Sequence, residues 1–312
     1  MKLKANLGAD AAILLVTLVW GSTFVVARDI LDYWPPLAYL SLRLTLAALM
    51  FAALFARRVL AAGREDWRAG ITLGLLVGGA ILGQTVGLQF TTPAKSAFIS
   101  SLTTPLVPLV AYLLTRARPS RENFAGVVLA SAGGALILAP AGEGGVNLGD
   151  LITLATTALF ATHITLMSAY ARRLGTRLLG VLQILVAAAV VAAAWVLLHA
   201  YGAATGGLPE ALARETAPLV WSARVVWQLV YLAAVATVAV FLLWAWGQSR
   251  MSATHAAIIF SLEPVFATLF AVLLRGSAEW SGGRSTVGAA LVVAGVVVSE
   301  LRWGRGAEGE DV

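Results

Sequence analysis

A glutamate and a proline lie side by side in an otherwise almost wholly apolar stretch of this chain. Glu263 and Pro264 interrupt the segment SATHAAIIFSLEPVFATLFAVLLR, residues 252–275. An ionised carboxylate at the centre of a bilayer costs about 2.5–3.5 kcal/mol, and a proline inside a helix removes a backbone donor and kinks the helix. The two residues therefore predict a polar notch in an apolar wall. Its carboxylate either contacts a substrate or carries protons, or it closes the kinked backbone as the neutral acid or pairs with Arg43.

Two other polar side chains lie deep in apolar runs. Arg43 lies about two helical turns inside its run, so its guanidinium either snorkels to the nearer interface, holds a substrate carboxylate, or forms an ion pair. The candidate partners for that pair are Asp29, Asp32 and Glu263. His163 lies near the middle of another run, where it either lines a pocket or is hydrogen-bonded within the packing.

Aromatic, hydroxyl and amide side chains at similar depth suggest a pocket. An aromatic ring with a few convergent polar groups suits a small zwitterion that has an apolar side chain. The candidate substrate-binding residues are Trp20, Ser22, Thr23, Tyr39, Gln84, Ser100, His163, Trp244 and Glu263, and the candidates for coupling or gating are Glu263 and Arg43. Tryptophans near the ends of apolar runs are typical of the interfacial belt, which is how we interpret Trp34 and Trp221.

The amino-acid composition indicates whether water or lipid surrounds the chain. Hydrophobic residues make up 59% of the 312 residues and charged residues 12%, about half of the charged share of a soluble domain. A chain with so little charge cannot cover itself in water, so we expect the lipid bilayer to surround it. Its basic residues lie in short groups between apolar runs, which argues against nucleic acid as a partner.

No residue pattern indicates an enzyme. Cys is absent and the three His are scattered, so we expect no metal site and no cofactor. The sequence also lacks a nucleophile elbow and a P-loop. An integral-membrane enzyme is kept as the alternative class, together with a channel-like facilitator, although charge rings and filter sequences are absent too.

Ten apolar segments are long enough to cross a bilayer of about 30 Å as helices. They are residues 9–30, 36–57, 69–90, 94–115, 121–140, 149–170, 177–200, 225–248, 252–275 and 285–303. Most of the 22 Lys and Arg residues fall between segments on the side that also carries the N-terminus. The positive-inside rule therefore predicts that both termini are cytoplasmic.

The chain contains an internal repeat. The stretch QFTTPAKSAFISSLTTPLVPLVAYLLTR (89–116) aligns with QSRMSATHAAIIFSLEPVFATLFAVLLR (248–275), so that Gln, Pro and Arg positions coincide. Likewise GVVLASAG (126–133) aligns with GAALVVAG (288–295). Matching Gln, Pro and Arg positions argue against chance similarity between apolar helices more strongly than matching alanines do.

The repeat divides the chain into two halves. DAAILLVTLVW (10–20) runs in step with DLITLATTALF (150–160). We therefore predict a first five-helix repeat over 1–140, an external linker over 141–148, and a second repeat over 149–312 that ends in a cytoplasmic tail. Because five is odd, the halves cross the membrane in opposite directions, which is the usual plan of secondary transporters.

Four stretches together carry a resemblance to a known family. They are WGSTFVVAR at 20–28, PPLAYLSLRLTLAALM at 35–50, TTPAKSAFISSLTTPLVPLVA at 91–111 and SATHAAIIFSLEPVFATLFAVLL at 252–274. The chain resembles the drug/metabolite transporter superfamily, specifically the EamA-type ten-helix permeases of bacterial inner membranes. The sixth segment departs from the first, with LFATHITLM in place of LVWGSTFVV, so the two halves are not functionally equivalent.

The resemblance implies secondary active transport, with export of amino acids or similar small metabolites by alternating access around a central cavity. The expected fold is an all-α polytopic membrane protein with ten transmembrane helices in two inverted repeats. Expected partners are a small-molecule substrate, the lipid bilayer and protons as a candidate coupling ion, and the expected assembly is a monomer or a homodimer. The expected location is the bacterial inner membrane.

Overall fold

The computed structural model describes residues 7–115, 121–138, 145–174, 176–248, 250, 259–260, 262–276 and 282–300. Over these ranges the regular secondary structure is helical and contains no strand, which confirms the all-α prediction. The C-terminal tail and most of the predicted linker lie outside the described residues.

Helices cover most of each predicted apolar segment in the ranges that the structure describes. The α-helices are α1 (Leu7–Leu31), α2 (Pro36–Leu60), α3 (Arg64–Gly87), α4 (Pro93–Ser101), α5 (Thr103–Thr115), α6 (Arg121–Leu138), α7 (Leu148–Leu174), α8 (Thr176–Thr205), α9 (Ala223–Val230), α10 (Val240–Gln248), α11 (Glu263–Arg275) and α12 (Gly283–Glu300). A 3₁₀-helix spans Glu210–Thr216, and a π-helix, Tyr231–Ala239, joins α9 to α10.

Helix starts follow from local residue types. Pro36 opens α2, and Pro93 opens α4 directly behind Thr92; proline suits a first turn because the missing N–H has no intrahelical partner there. The Thr92 hydroxyl accepts the Lys95 N–H at 3.2 Å. Ser222 caps α9 in the same way, so both caps satisfy one of the exposed amides of a first turn.

Six stretches of continuous helix are long and apolar enough to cross a membrane. They are Leu7–Leu31, Pro36–Leu60, Arg64–Gly87, Leu148–Met167, Arg177–Thr205 and Ala223–Trp244. These six stretches correspond to the first, second, third, sixth, seventh and eighth predicted segments. The other four segments are shorter or broken in the described structure.

The fourth and ninth segments break at equivalent places. α4 and α5 are separated at Leu102, and α11 begins directly after Leu262. The N–H of each of these leucines bonds the carbonyl three residues earlier at 3.1 Å. A proline without an N–H follows each break, Pro105 in one half and Pro264 in the other. The predicted notch is therefore a helix break that also occurs in the first half.

Close contacts fix the relative directions of α3 and α8. Gly70 lies against Leu182, and Gly78, two turns further along α3, lies against Ala187. The contacts advance in the same direction along both helices, so α3 and α8 run parallel. The start of α8 therefore lies at the same end of the bundle as the start of α3.

The bundle has two ends, which we name by the turns that they carry. The 61–63 end carries the turn between α2 and α3, and thus also the start of α8. Gly247, near the end of α10, lies against Ile13 in α1, which places the start of α1 and the end of α10 there too. The opposite end, with the turn between α1 and α2, is the 32–35 end.

α6 and α12 cross with backbone against backbone. A Cβ added at Gly133 would lie 2.5 Å from the carbonyl oxygen of Gly288, and one added at Gly295 would lie 2.6 Å from that of Gly126. Both distances are too short for a methyl group, so these helices can cross only with hydrogen at those positions. The contact is reciprocal, because the repeat aligns Gly126 with Gly288 and Gly133 with Gly295. Such close approach is how small residues hold helices together in lipid.

Gly295→Ala is expected to destabilise the protein by about 1–3 kcal/mol, because the added methyl group would overlap the α6 backbone at Gly126 and Ala130. Gly79→Ala is the matched control: its Cβ would meet nothing nearer than Leu159 at 3.8 Å, and alanine is the better helix former. Thermal unfolding in detergent should show a lower midpoint for the first variant only. Equal midpoints would contradict the backbone contact.

Candidate functional site

Trp20 and Trp244, two of the predicted site residues, lie in one aromatic cluster. The ring centroid of Trp20 lies 5.9 Å from that of Trp244, 6.1 Å from that of Phe241 and 5.6 Å from that of Phe260. These edge-to-face and stacked contacts join α1, α10 and the ninth segment. Within the described ranges the Trp244 Nε1 is buried without a hydrogen-bond partner, so this part of the cluster contains an unused donor.

Hydrogen bonds attach α1 to the π-helix. Trp20 Nε1 donates to the carbonyl oxygen of Ala236 at 3.3 Å. The hydroxyls of Ser22 and Tyr231 bond at 2.6 Å, and Tyr231 is the donor because Ser22 gives its own proton to Val19 at 2.7 Å. Thr23, which was predicted to line a pocket, donates to the Trp20 carbonyl within its own helix at 2.7 Å.

Tyr39 and Arg43 form a pair along α2. Arg43 Nη1 donates to the hydroxyl of the fully buried Tyr39 at 3.0 Å, while its Nε is buried without a partner. Among the described residues, Arg43 makes no ion pair with any of its three candidate partners. Asp29 and Asp32 bond other cations instead.

The remaining predicted amide, hydroxyl and imidazole groups form two separate pairs. Gln84 Nε2 in α3 donates to the Ser100 hydroxyl in α4 at 2.8 Å. His163 in α7 bonds Gln183 in α8, with 2.5 Å between His163 Nε2 and Gln183 Oε1. Since Oε1 can only accept, the imidazole carries its proton on Nε2. Each pair links two helices, as polar side chains in membrane bundles commonly do.

Glu263 is the first residue of α11 and lies beside α1. Its side chain is partly buried, and its backbone carbonyl faces Gly21, where an added Cβ would come within 3.2 Å. A carboxylate in the first turn is favoured by the helix dipole. None of the Lys and Arg residues in the described ranges forms an ion pair with this carboxylate.

A small cleft of about 30 Å³ opens among α2, α7, α8 and α10 near the 61–63 end. Its walls are mostly apolar. The side chains with polar atoms that line it are Arg177, Gln183 and Trp244. The cleft combines apolar walls with a few polar side chains, as small-molecule sites do, but it is far smaller than such sites and would have to widen to admit a substrate.

The cleft overlaps the sequence-predicted site only in part. Trp244 lines it, and His163 stands behind Gln183. Gln183 itself was not predicted, although an amide inside the run LLGVLQILVAAAV is the signal that would have identified it. Arg177 gives no such signal, because it is one of several basic residues between segments.

The two halves of the chain are joined by charged contacts at the 32–35 end. Arg224 Nη2 lies 2.7 Å from Asp29 Oδ1, and Gln228 Nε2 donates to Asp29 Oδ2 at 2.5 Å. Arg275 Nη1 lies 3.5 Å from Asp32 Oδ2. We call these five residues the latch, because they tie the end of α1 to α9 and α11.

The stretch between α8 and α9 covers the same end. Trp34 is 1% exposed and donates its Nε1 to the carbonyl of Val220 at 2.8 Å, so its interpretation as an interfacial-belt residue is wrong. Both carboxylate oxygens of Glu215 accept the Leu37 N–H at 3.3 Å. Burial raises the pKa of Glu215 above its ordinary value, although the Leu37 bond and nearby basic groups lower it.

A buried ion pair links the start of α4 to the start of α7. Lys95 Nζ lies 2.6 Å from Asp150 Oδ2, and the Asp150 side chain is fully buried. Thr91 donates to the other carboxylate oxygen at 2.5 Å, and the Asn147 N–H donates to Oδ2 at 3.1 Å. Because Asp150 is buried and Lys95 is the cation that pairs with it, removing Lys95 would leave an uncompensated charge.

Comparison with known families decides the identity of the fold. The model of the EamA-like transporter family matches residues 7–139 and again 147–301. The chain belongs to the EamA-like transporter family. Its long apolar helices then make it a multi-pass membrane protein.

Relatives of this EamA-like transporter include proteins from two distant microorganisms. An uncharacterized transporter of Archaeoglobus fulgidus is 29% identical over 95% of this chain and 87% of its own length. The uncharacterized transporter YoaV of Bacillus subtilis is 24% identical over 83% of this chain and 85% of its own. One solved crystal structure superposes with a TM-score of 0.63 at 22% identity, covering 93% of this chain and 96% of the other, which shows a shared fold.

Arg224→Asp is expected to lower the unfolding midpoint of this EamA-like transporter, because it would place two carboxylates together at the latch. The second change Asp29→Arg should restore more than half of the loss, since it recreates an opposite-charge pair. The pair is partly exposed, so the coupling should be below about 1 kcal/mol. Arg68→Asp, at an exposed position in α3, controls for the change in net charge. Failure of the swap to restore stability would exclude the pairing.

Proposed function

We propose that this protein is a secondary active carrier that exports amino acids or similar small metabolites by alternating access. The observation that carries the proposal is the unequal closure of the two ends. The latch ties the two halves together at the 32–35 end, while a cleft opens near the 61–63 end. A carrier that exposes its site to one side at a time has this arrangement.

The orientation follows from charge. The positive-inside rule assigns the 61–63 end to the cytoplasm, because that end carries the basic turn Arg57–Arg68 and the N-terminus. In this orientation the cleft faces the cytoplasm and the latch closes the periplasmic side. An exporter that awaits its substrate presents this inward-facing arrangement.

Two observations support the inverted repeat that alternating access requires. The family model matches the chain in two successive stretches, whose boundary agrees with the predicted linker at 141–148. Contacts between the halves are also reciprocal. Gly133 faces Gly288 as Gly295 faces Gly126, which is the pattern that a two-fold relation between equivalent surfaces produces.

Single cysteines test the inversion directly, because the chain has no native cysteine. Ala61 follows the end of α2 and Thr205 ends α8, the corresponding helix of the second half, and both residues are exposed. In intact cells a membrane-impermeant maleimide should label Thr205→Cys and should reach Ala61→Cys only after permeabilisation. Labelling of both positions from the same side would reject the inverted arrangement.

Transport itself is tested in proteoliposomes. A thermal-shift screen against amino acids and small amines selects the ligand, and counterflow of that labelled ligand should then show transient accumulation, because a carrier exchanges one bound molecule for another. A channel-like facilitator would give no transient accumulation.

We further propose that Glu263 carries the coupling proton. Glu263→Gln should then abolish flux driven by a pH gradient and spare counterflow, whereas unchanged pH-driven flux would reject the proton role.

A further inference from the structure

Each of the three polar side chains around the cleft carries a hydrogen-bond donor. Arg177 carries a guanidinium, which donates only and is always charged, and Trp244 carries an indole N–H, which also donates only and is buried beside the cleft. Gln183 would normally offer both a donor and an acceptor. Its Oε1 already accepts one hydrogen bond, from His163 Nε2 at 2.5 Å, whereas no hydrogen bond occupies its NH₂ group among the described residues.

The described residues that line the cleft carry no negative charge. The described residues around the cleft include neither Asp nor Glu, and Arg177 is exposed at the start of α8. The single formal charge that a ligand meets there is positive. A ligand ammonium group would be repelled by Arg177 and would find no carboxylate, whereas a ligand carboxylate would meet three sources of N–H.

Trp244 adds an observation that is independent of charge. Its Nε1 is buried and has no partner among the residues that the structure describes, and a buried donor without an acceptor costs about 1–3 kcal/mol. Most such groups in proteins are paired. An acceptor that arrives with a ligand would satisfy this donor once the indole turns towards the cleft and the cleft widens, and the apolar side chains of Phe51, Met167 and Phe241 would then contact the rest of the ligand.

We infer that the cleft recognises the carboxylate of a small substrate with an apolar body, and that an amino group is not required. The carboxylate is held by Gln183, Trp244 and Arg177, and His163 sets the direction in which the Gln183 amide faces. This inference rests on the proposed function, since it assumes that the cleft is where the substrate enters. It narrows the substrate from zwitterions in general to carboxylates.

Four compounds with one carbon skeleton separate the possibilities: isocaproate, its neutral amide isocaproamide, its amine isohexylamine, and leucine. Titration calorimetry on the purified protein at pH 8, where isocaproate is an anion, should show isocaproate binding at least about tenfold more tightly than the amide or the amine. Leucine should bind no more tightly than isocaproate. Preference for the amine or the amide, tighter binding of leucine, or no binding of isocaproate would overturn the inference.

Two tryptophan variants locate the binding. Trp244→Phe keeps an aromatic ring, although a smaller one, and removes the N–H, and it should weaken isocaproate binding at least about tenfold. Trp195→Phe is the matched control, because the Trp195 Nε1 is also buried and unpartnered but does not line the cleft. Equal effects of the two changes would overturn the inference.

Arg177→Gln, at an exposed position, should also weaken the binding of isocaproate and make that binding less sensitive to salt. Unchanged affinity would contradict the assignment.

Counterflow distinguishes this inference from the proposed function. If isocaproate binds as expected but shows no counterflow, the carrier mechanism fails while the recognition of a carboxylate stands. If isohexylamine binds preferentially and shows counterflow, the carrier mechanism stands while the inference fails. Isocaproate that both binds through Trp244 and shows counterflow supports both.

Discussion

The structure depends on one constraint: a polar group inside an apolar bundle has to find its partner within the protein. The hydroxyls of Ser22 and Thr23 bond carbonyls of their own helix, and Tyr39 with Arg43 and His163 with Gln183 bond side chain to side chain. These bonds leave few polar atoms available to a ligand. Function therefore has to be read from the exceptions, and the unpaired indole of Trp244 is the clearest of them.

The same constraint gives the glycines their place. Helices that lack polar side chains at their interface hold together by close packing, which requires small residues on the facing sides. Gly133 and Gly295 supply such faces where α6 crosses α12, and Gly70 and Gly78 supply them where α3 runs beside α8. The halves of the chain thus meet through close packing at these two glycine contacts and through charge at the latch and at the buried Lys95–Asp150 pair. Backbone contact is rigid, whereas an exposed ion pair is weak and exchangeable, so motion between the halves is easier at the latch than at the glycine crossing.

The sequence predicts the helices well, because a bilayer imposes a long apolar run on each of them. The first segment, predicted at 9–30, is observed as Leu7–Leu31, and the proline notch at 263–264 is observed as a break after Leu262. The partners of the site residues could not be predicted in this way. That Ser22 bonds Tyr231, or that Gln183 faces the cleft, depends on how each helix is rotated about its axis, and an apolar helix surrounded by lipid carries little periodic signal for that rotation. Trp34 shows the same limit: its place beside a turn indicates an interface, and only the chain that folds over it buries it.

The π-helix between α9 and α10 determines what α1 can touch. Tyr231 and Ala236 are five residues apart, and both bond α1, through Ser22 and Trp20. In an α-helix, positions five apart point about 140° away from each other, so one of these two bonds would be lost. Winding with i→i+5 backbone bonds, as in the π-helix Tyr231–Ala239, brings the two positions to the same side. The wider turn thus determines how α10, which follows it, is rotated about its helix axis, and so the direction in which Trp244 faces.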